Sequence, residues 1–448
     1  MTPSPEPCVT RFAPSPTGRL HVGNIRTALH NALFAIAHGG RFLLRIDDTD
    51  AARSSESFVA AIHEDLDWLG LEPDAVVRQS ERLAVYEREF ERLKNAGRVY
   101  PCFETSEELD LRRKVLLGRG LPPIYERQPE GAPAPAGIAP HWRFRLDHDA
   151  PIEWDDLVRG PQHFDPNLIS DPVIRRADGS WLYLLPSVID DVDLGVTHVV
   201  RGEDHVSNSA VQLQMFDALG APHPRFAHEA LLVAGGSDGG GGKLSKRLGS
   251  TGIDDLRDAG IEPLALLSLL ARLGTSQPVE ARNSLAELAV GFDFATFGRA
   301  PAHFDLAEVE QLNTRLLHTL AYDDVARRLP AGVGEAEWLA LRGNLAHLGE
   351  VSDWLPILHG AIDRPEVAPD DKPLLAEAAR IAADLDWADD PWHRLTEALK
   401  AATGRKGRAL FHPLRRALTA RDSGPEMAPL LLLMGRERAV ERLRNAAS

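Results

Sequence analysis

Cysteine is almost missing from this chain: Cys8 and Cys102 are the only two among 448 residues. Two thiols cannot staple a protein of this length, so a disulfide framework is excluded and a reducing, cytoplasmic setting is expected. Long apolar runs are missing too. No stretch approaches the ~18 consecutive apolar residues that cross a bilayer, so no membrane span is expected. The opening Met1-Thr2-Pro3-Ser4-Pro5-Glu6 has neither a basic patch nor an apolar core. No secretory signal is expected there. Positive charge is in short supply: 50 Lys and Arg face 66 Asp and Glu, a net charge of -16. That balance argues against a generally basic, sequence-blind nucleic-acid binder, and leaves room for a local basic surface. No fixed-period repeat is present.

What is present is ordinary globular material, 44% hydrophobic and 26% charged. Its length exceeds one core, so two to four domains are expected. Val9-Thr10-Arg11-Phe12 reads as a strand. A helical spacing of Ile25, Ala28, Leu29, Ala32, Leu33 and Ile36 follows and stops at Gly39-Gly40. Arg41 to Ile46 reads as a second strand, ending in Asp47-Asp48-Thr49-Asp50. Phe58, Ile62, Leu66 and Leu69 mark a second helix with Ser54 or Ser55 as its N-cap. Strand, helix, strand, helix indicates a parallel α/β sheet, whose ligands bind beyond the carboxyl ends of the strands. A helix near Leu83 to Ala96 leads into a Pro- and Gly-rich charged segment, Gly118 to Pro140. The α/β pattern resumes at Trp181 to Leu185. Val196 to Val200 and Phe226 to Val233 read as strands, with a helix over Asn208 to Leu219 between them. Beyond Gly252 nearly everything reads as helix: Pro263 to Leu273, Leu306 to Leu317, Pro373 to Leu385 and Trp392 to Ala402.

Two short segments carry the chemistry. Pro14-Ser15-Pro16-Thr17-Gly18-Arg19-Leu20-His21-Val22-Gly23-Asn24 is a Pro/Gly turn between a strand and a helix. Such a turn lets backbone amides approach a phosphate, and the helix N-terminus adds partial positive charge. His21 can donate a hydrogen bond to a phosphoryl oxygen or can simply cap the helix. Gly23 leaves room for a nucleotide. Lys243-Leu244-Ser245-Lys246-Arg247 places three cations in five residues, directly after four glycines. Glycine relaxes the backbone, so this loop can close over a phosphate chain. Alone it reads equally as a solvated basic loop. Together the two segments point to a site that grips ATP phosphates from two sides and transfers an adenylyl group. Preorganised donors on both sides stabilise the charge that builds at the α-phosphate.

Further motifs follow in order. They are Arg11-Phe12-Ala13-Pro14-Ser15-Pro16-Thr17-Gly18, Arg45-Ile46-Asp47-Asp48-Thr49-Asp50 and Arg78-Gln79-Ser80-Glu81-Arg82. Val188-Ile189-Asp190-Asp191 and Gly195-Val196-Thr197-His198-Val199-Val200-Arg201-Gly202-Glu203-Asp204 come next. With His21-Val22-Gly23-Asn24 and Lys243 to Arg247, these resemble class I aminoacyl-tRNA synthetases, specifically the bacterial glutamyl-tRNA synthetases. The likeness continues through Pro413 to Thr419 and Leu433 to Arg438, and is weakest over 320–395.

The resemblance implies an α/β fold with a doubly wound, Rossmann-like parallel sheet and an all-α C-terminal half. It implies a catalytic domain over 1–78 and 177–222, and an inserted acceptor-stem-binding domain over 79–176. A stem-contact region carrying the Lys243 to Arg247 loop covers 223–310. A helical domain covers 311–372, and a helical anticodon-binding domain 373–448. The implied activity is ATP-dependent ligation of L-glutamate to tRNA(Glu) through glutamyl-adenylate. The alternative is an enzyme that also or mainly glutamylates tRNA(Gln). His21, Lys243 and Lys246 are implied as catalytic. ATP contacts are implied for Pro14, His21, Gly23, Asn24, Lys243, Ser245, Lys246 and Arg247, with Mg2+ accompanying ATP. Glutamate contacts are implied for Arg11, Ala13, Ser15, Asp47, Tyr183, Ser187 and Arg201.

The residue types suit that substrate. Glutamate needs cations for two carboxylates and an anion for its ammonium, and the planar fork of Arg binds carboxylates in bidentate fashion. Arg11 and Arg201 stand at strand ends, although Arg201 can equally pair with Glu203 or Asp204. Asp47 stands where many family members carry Glu to hold the ammonium. Ser187 stands where others carry Asn. Tyr183, flanked by Leu182, Leu184 and Leu185, also reads as a core aromatic.

From Gly404 to Ser448 ten Lys and Arg face four Asp and Glu. Arg405, Lys406, Arg408, Arg415 and Arg416 are the candidates for tRNA contacts; a solvated helix face has the same composition. Some family members hold zinc in the insertion on a Cys-x-Cys pair with later Cys and His or Tyr ligands. Here Cys102 is followed by Phe103 and Glu104. One thiolate cannot make the usual tetrahedral site, so no structural zinc is expected. A monomer is expected. A non-catalytic paralogue would show erosion of the His21 or Lys246 motif, and both are intact. A small-molecule nucleotidyltransferase would have no use for the helical C-terminal half.

Overall fold

The computed structural model describes residues 8–50, 52–128, 135, 137–234, 252–388 and 390–448. Two compact units emerge: Met1–Ala259 with Pro263–Leu306, and Gly260–Glu262 with Ala307–Ser448.

The first unit is built on parallel strands. β1 (Val9–Phe12), β2 (Arg41–Ile46) and β3 (Ala75–Arg78) pair in that order, Val9 opposite Arg41 and Leu43 opposite Ala75. α1 (Val22–Ala37) and α2 (Glu56–Leu69) form the two crossovers. β2 is buried from Phe42 to Ile46, as expected for a strand covered on both faces. The helix limits follow local chemistry. His21 and Asn24 form a capping box at the start of α1, and Gly39 ends it at φ +59°. Ser55 caps α2, and Gly70 closes it in the left-handed region.

β9 (His198–Gly202) and β10 (Arg225–Glu229) form a second parallel pair, joined by α6 (Val206–Ala218). Thr197 fastens this pair to β1. Its N–H donates to the Val9 carbonyl at 3.0 Å, and its hydroxyl accepts from the Val9 N–H at 2.8 Å. The spatial order is therefore 3-2-1-9-10, with the direction of winding reversing between β1 and β9. α5 (Leu184–Asp193) precedes β9.

The intervening segment is antiparallel. β4 (Val99–Cys102), β5 (His141–Phe144) and β8 (Val173–Arg175) make one sheet. β6 (Ile152–Asp156) and β7 (Gly160–Phe164) make a hairpin. α3 (Leu83–Asn95) buries Tyr86, Phe90 and Leu93. The core there continues through Phe144, Ile174, Trp181, Leu185 and Phe226. α4 (Ser106–Gly118), capped by Thr105 and Glu108, has no buried residue.

Two expectations need correction. Phe226 to Val233 is not one strand. The chain leaves the sheet after Glu229 and re-forms β11 (Leu232–Ala234), which pairs with β12 (Ala302–Phe304). β12 lies in the stretch expected to be nearly all helix, outside the four helical spans named there. In both places the partner strand, absent from local periodicity, decides the structure.

The second unit is helical. Lys372–Asp384 packs on Arg436–Ala447. The first buries Leu374, Leu375, Ala378, Ala379 and Ala382, and the second Ala439, Val440, Leu443 and Ala446. Both patterns are helical stripes one face wide.

Candidate active site

A cavity of about 630 Å³ opens at the carboxyl ends of β1 and β9, where the winding reverses. In open α/β sheets this is the ligand-binding position. Arg11, Ala13, Pro14, Ser15, His21, Gly23, Asn24, Asp47, Tyr183 and Arg201 all line it.

Of the two roles its sequence context allowed, His21 takes the cap directly and keeps one ring nitrogen free of it. Its Nδ1 accepts the Gly23 N–H at 3.1 Å, capping α1, while Asn24 Oδ1 accepts the His21 N–H at 3.1 Å. Burial holds the imidazole below its ordinary titration range, so it is neutral near pH 7. With Nδ1 accepting, the proton sits on Nε2 as a donor. Gly23 gives this arrangement its room. A Cβ there would meet His21 Cε1 at 3.0 Å and Nδ1 at 3.1 Å.

Asp47 is positioned by a residue that sequence reading passed over. The fully buried Arg45 grips it through Nε–Oδ1 at 2.7 Å and Nη2–Oδ2 at 3.1 Å. Arg45 also donates to Asp191 Oδ1 at 2.8 Å and to Ser187 Oγ at 2.7 Å. Burial pushes the Asp47 carboxyl upward, and the Arg45 fork pulls against that shift. Arg11 donates to Asp191 through Nε at 3.0 Å. Its Nη1 has no hydrogen-bond partner among the described residues. The motif Arg78 to Arg82 serves this layer from below. Gln79 and Arg82 donate to the buried Asp190 at 2.8 and 2.7 Å.

Arg201 is only 6% exposed. It pairs with neither Glu203 nor Asp204. Nη1 donates to the Tyr183 hydroxyl at 2.8 Å, and Nη2 donates to Gln212 Oε1 at 2.7 Å and to Ser209 Oγ. Glu203 is taken by Arg159. Among the described residues, this buried cation has no carboxylate partner. An isolated buried charge is costly, so the cavity wall is set up for an anion.

His205 also lines the cavity and was missed, although it follows directly on the Arg201 to Asp204 motif. Asn208 Nδ2 lies 3.1 Å from its Nδ1, and its ring centre is 5.7 Å from that of Tyr183. Burial and then the Arg201 charge hold it well below the ordinary histidine range, so it is a neutral polar wall.

The family model "tRNA synthetases class I (E and Q), catalytic domain" matches residues 7–295, and "Anticodon binding domain" matches 362–447. Glutamate–tRNA ligase 2 of Sphingopyxis alaskensis is 64% identical over 437 residues, covering 98% of each chain. Glutamate–tRNA ligase 1 of Rhizorhabdus wittichii is 62% identical over 98% of this chain and all of its own. The chain belongs to the glutamate–tRNA ligase family of class I synthetases. The crystal structure of a glutamate tRNA ligase from Elizabethkingia meningosepticum, in complex with its amino acid, superposes with a TM-score of 0.82 at 26% identity and covers 99% of both chains.

The remaining expected residues fall less uniformly on this family fold. Ser187 is fully buried and lies outside the cavity wall, where its hydroxyl and carbonyl hold Arg45. Lys243, Ser245, Lys246 and Arg247 lie outside the described residues. In the second unit Arg405 pairs with Asp371, and Arg416 with Asp422 at 3.0 Å. Arg415 donates to the Pro425 carbonyl at 2.9 Å. Lys406 and Arg408 are exposed, without an ion partner among the described residues.

Counting cysteines overlooked two donors near Cys102. Cys102, Glu104 and His141 bring ligand atoms within 4.8 Å of one another. Glu104 Oε2 and His141 Nε2 have no hydrogen-bond partner among the described residues. Cations already crowd the cluster, however. The Arg143 guanidinium sits 3.8 Å from the centre of the Tyr125 ring, whose hydroxyl donates to Glu104 Oε1 at 3.1 Å. Arg112 approaches the same oxygen at 3.4 Å. Burial raises the Cys102 thiol and lowers His141. Zinc needs the thiolate. The Arg143 and Arg112 charges beside these donors work against a resident dication.

Proposed function

We propose that this chain ligates L-glutamate to tRNA(Glu) in two steps. The reading rests above all on Arg201, a buried guanidinium without a carboxylate partner among the described residues, in a cavity that also presents Arg11, Asp47, Tyr183 and His21. In the first step a glutamate carboxylate oxygen attacks the α-phosphate of ATP, taken as its Mg2+ complex. A new P–O bond forms, and the bond to pyrophosphate breaks. In the second, the terminal ribose hydroxyl of tRNA attacks the activated carbonyl, and AMP leaves. No side chain needs to become a nucleophile, so catalysis is positioning and electrostatic stabilisation.

Arg11 and Arg201 take the two carboxylates, with Tyr183 bracing Arg201. Asp47 takes the ammonium, one methylene further back than Glu would, and Arg45 fixes its oxygens. Ala13 and Ser15 form the adjoining wall; Ser187 acts at one remove, through Arg45. His21 Nε2–H and Lys246 stabilise the transition-state phosphates, with Lys243 in support. Pro14, Gly23, Asn24, Ser245 and Arg247 complete the nucleotide surround. The second unit takes the anticodon arm, its basic residues supplying phosphate contacts that position the RNA.

ATP–pyrophosphate exchange with glutamate, measured with and without tRNA, tests the reading. Glutamate-dependent exchange is expected when tRNA is present. No exchange under either condition would overturn it. Charging purified glutamate and glutamine tRNAs side by side decides between tRNA(Glu) alone and a broader substrate range.

A further inference from the structure

The donors that hold Arg201 are themselves held, and the chain of contacts leads out of the sheet. Ser209 Oγ accepts from Arg201 and lies 2.7 Å from His228 Nε2. His228 Nδ1 meets Asp156 Oδ2, on the other side of the ring. Ser209 and His228 are fully buried, and Asp156 is 5% exposed. The order Ser–His–Asp is that of a hydrolase triad, but this serine is no nucleophile. It is sealed from the cavity, and a guanidinium donates to its oxygen.

We propose that Asp156, His228 and Ser209 form a fixed hydrogen-bond chain that positions Arg201 for the substrate carboxylate. This rests on the glutamate reading of the cavity given above. Direction follows from the donors. Asp156 is acceptor-only, so His228 Nδ1 carries the proton and Nε2 is the acceptor. The Ser209 hydroxyl donates to that nitrogen, and its lone pair is left for Arg201. The Arg201 Nε–H lies 3.5 Å from the same nitrogen. Reversing the imidazole tautomer would set an N–H against the Arg201 Nε–H and turn the Ser209 hydroxyl away to the His205 carbonyl at 3.4 Å. The carboxylate at Asp156 therefore sets the tautomer, and the tautomer sets which way the Arg201 fork faces. Second-layer partners that fix tautomer and orientation matter in the same way around metal-binding histidines.

The far end of the chain is the turn of the β6–β7 hairpin. Asp156 Oδ1 accepts from the N–H groups of Val158 and Arg159, each at 3.0 Å, and of His228 at 3.1 Å. Arg159, in the same turn, pairs with Glu203, which accepts the Leu231 N–H at 3.1 Å. Leu231 lines the cavity. One hairpin turn thus reaches the cavity wall by two routes, through Arg201 and through Leu231. Asp156, His228 and Ser209 are positioning residues; none touches the substrate.

Steady-state aminoacylation with tRNA present tests this on the full-length protein. In H228A the KM for glutamate should rise about 10- to 100-fold, in line with losses on removing orienting partners, while the KM for ATP stays within about twofold. H228Q places an acceptor oxygen where Nε2 was. It should restore the glutamate KM to within about fivefold of wild type. S209A, which removes one hydroxyl, should raise it about 3- to 10-fold and decides the matter if H228A does not fold. Parallel rises in both KM values, no rescue by Gln, or an unchanged glutamate KM in folded S209A would each overturn the proposal. A wild-type protein without glutamate-dependent exchange would instead overturn the functional reading beneath it.

Discussion

Replacing Arg201 with Lys keeps a positive charge and removes the fork. An ammonium brings three donors on a flexible stem, against five N–H groups in a rigid plane. In place, Arg201 satisfies Tyr183, Gln212 and Ser209 and still faces the cavity. Lysine cannot meet all three and also bind a substrate carboxylate. Charge-assisted bonds contribute about 1.5–3 kcal/mol each, and a buried partner left unmet costs about 1–3 kcal/mol. With some relaxation, a loss of about 2–4 kcal/mol is expected. That is roughly 30- to 700-fold in kcat/KM for glutamate, at ~1.4 kcal/mol per factor of ten. The KM for ATP should move little. Glutamine sharpens the test. A buried cation with no carboxylate partner among the described residues should reject the neutral amide by about 10⁴-fold, because the charge would stay unpaired. R201K, with a mobile and better-hydrated charge, should narrow that gap. Both amino acids would be compared in steady-state charging, with thermal melting to confirm the fold. If R201K keeps glutamate kcat/KM within about threefold of wild type, the assignment is refuted. Equal losses for glutamate and ATP would refute it as well.

Asn in place of His21 keeps an acceptor at the Nδ1 position for the cap but loses the Nε2–H. H21N should fold normally and lose about 10²–10³ in kcat for activation, the scale of one transition-state donor; activity near wild type removes that role. His198 is held down to about 4 by burial, with Arg225 and His38 adding to the fall. Its folded value lies below the unfolded ~6.5, so its share of stability is present above ~6.5 and is lost as pH falls toward 4. The urea midpoint should fall over that window, less so in H198N, and an NMR titration midpoint near 6.5 for His198 would contradict this. K406A/R408A should weaken tRNA binding and lower the slope of log affinity against log salt by about 1–2, since each released phosphate contact counts for roughly 0.7–0.9; an unchanged slope excludes these residues from the interface. Elemental analysis of purified protein should find well under one zinc per chain, and about one per chain would overturn the reading of the Cys102 cluster.

Local patterning located β1 and β2 to the residue, because both are short, mostly apolar segments whose ends are marked soon after by Pro14 and Asp47. It also named every side chain that reaches the cavity from the first loop, since those sit within one short segment. What it passed over acts across distance. Arg45 looked like one cation in an apolar strand, and that oddity was the available signal. Lacking a side-chain partner in view, it could not be tied to Ser187 or Asp191, which lie 142 and 146 residues away. Asp156 and His228 carry no local pattern at all, being 72 residues apart on different sheets. The split of Phe226 to Val233 was hidden for the same reason, since β12 lies beyond position 300.

The seam between β1 and β9 has a consequence for how the chain is made. β1 meets β2 about 32 residues later, but its other neighbour is fastened through Thr197, 188 residues downstream. At ribosomal rates of ~5–20 residues per second, that edge of β1 waits about 10–40 s for its partner. An open parallel edge is a template for wrong pairing. The half-built sheet in a nascent chain is thus the species on which chaperones would act, and variants that weaken the Thr197 clasp should lower yield during synthesis more than they lower the stability of the finished protein.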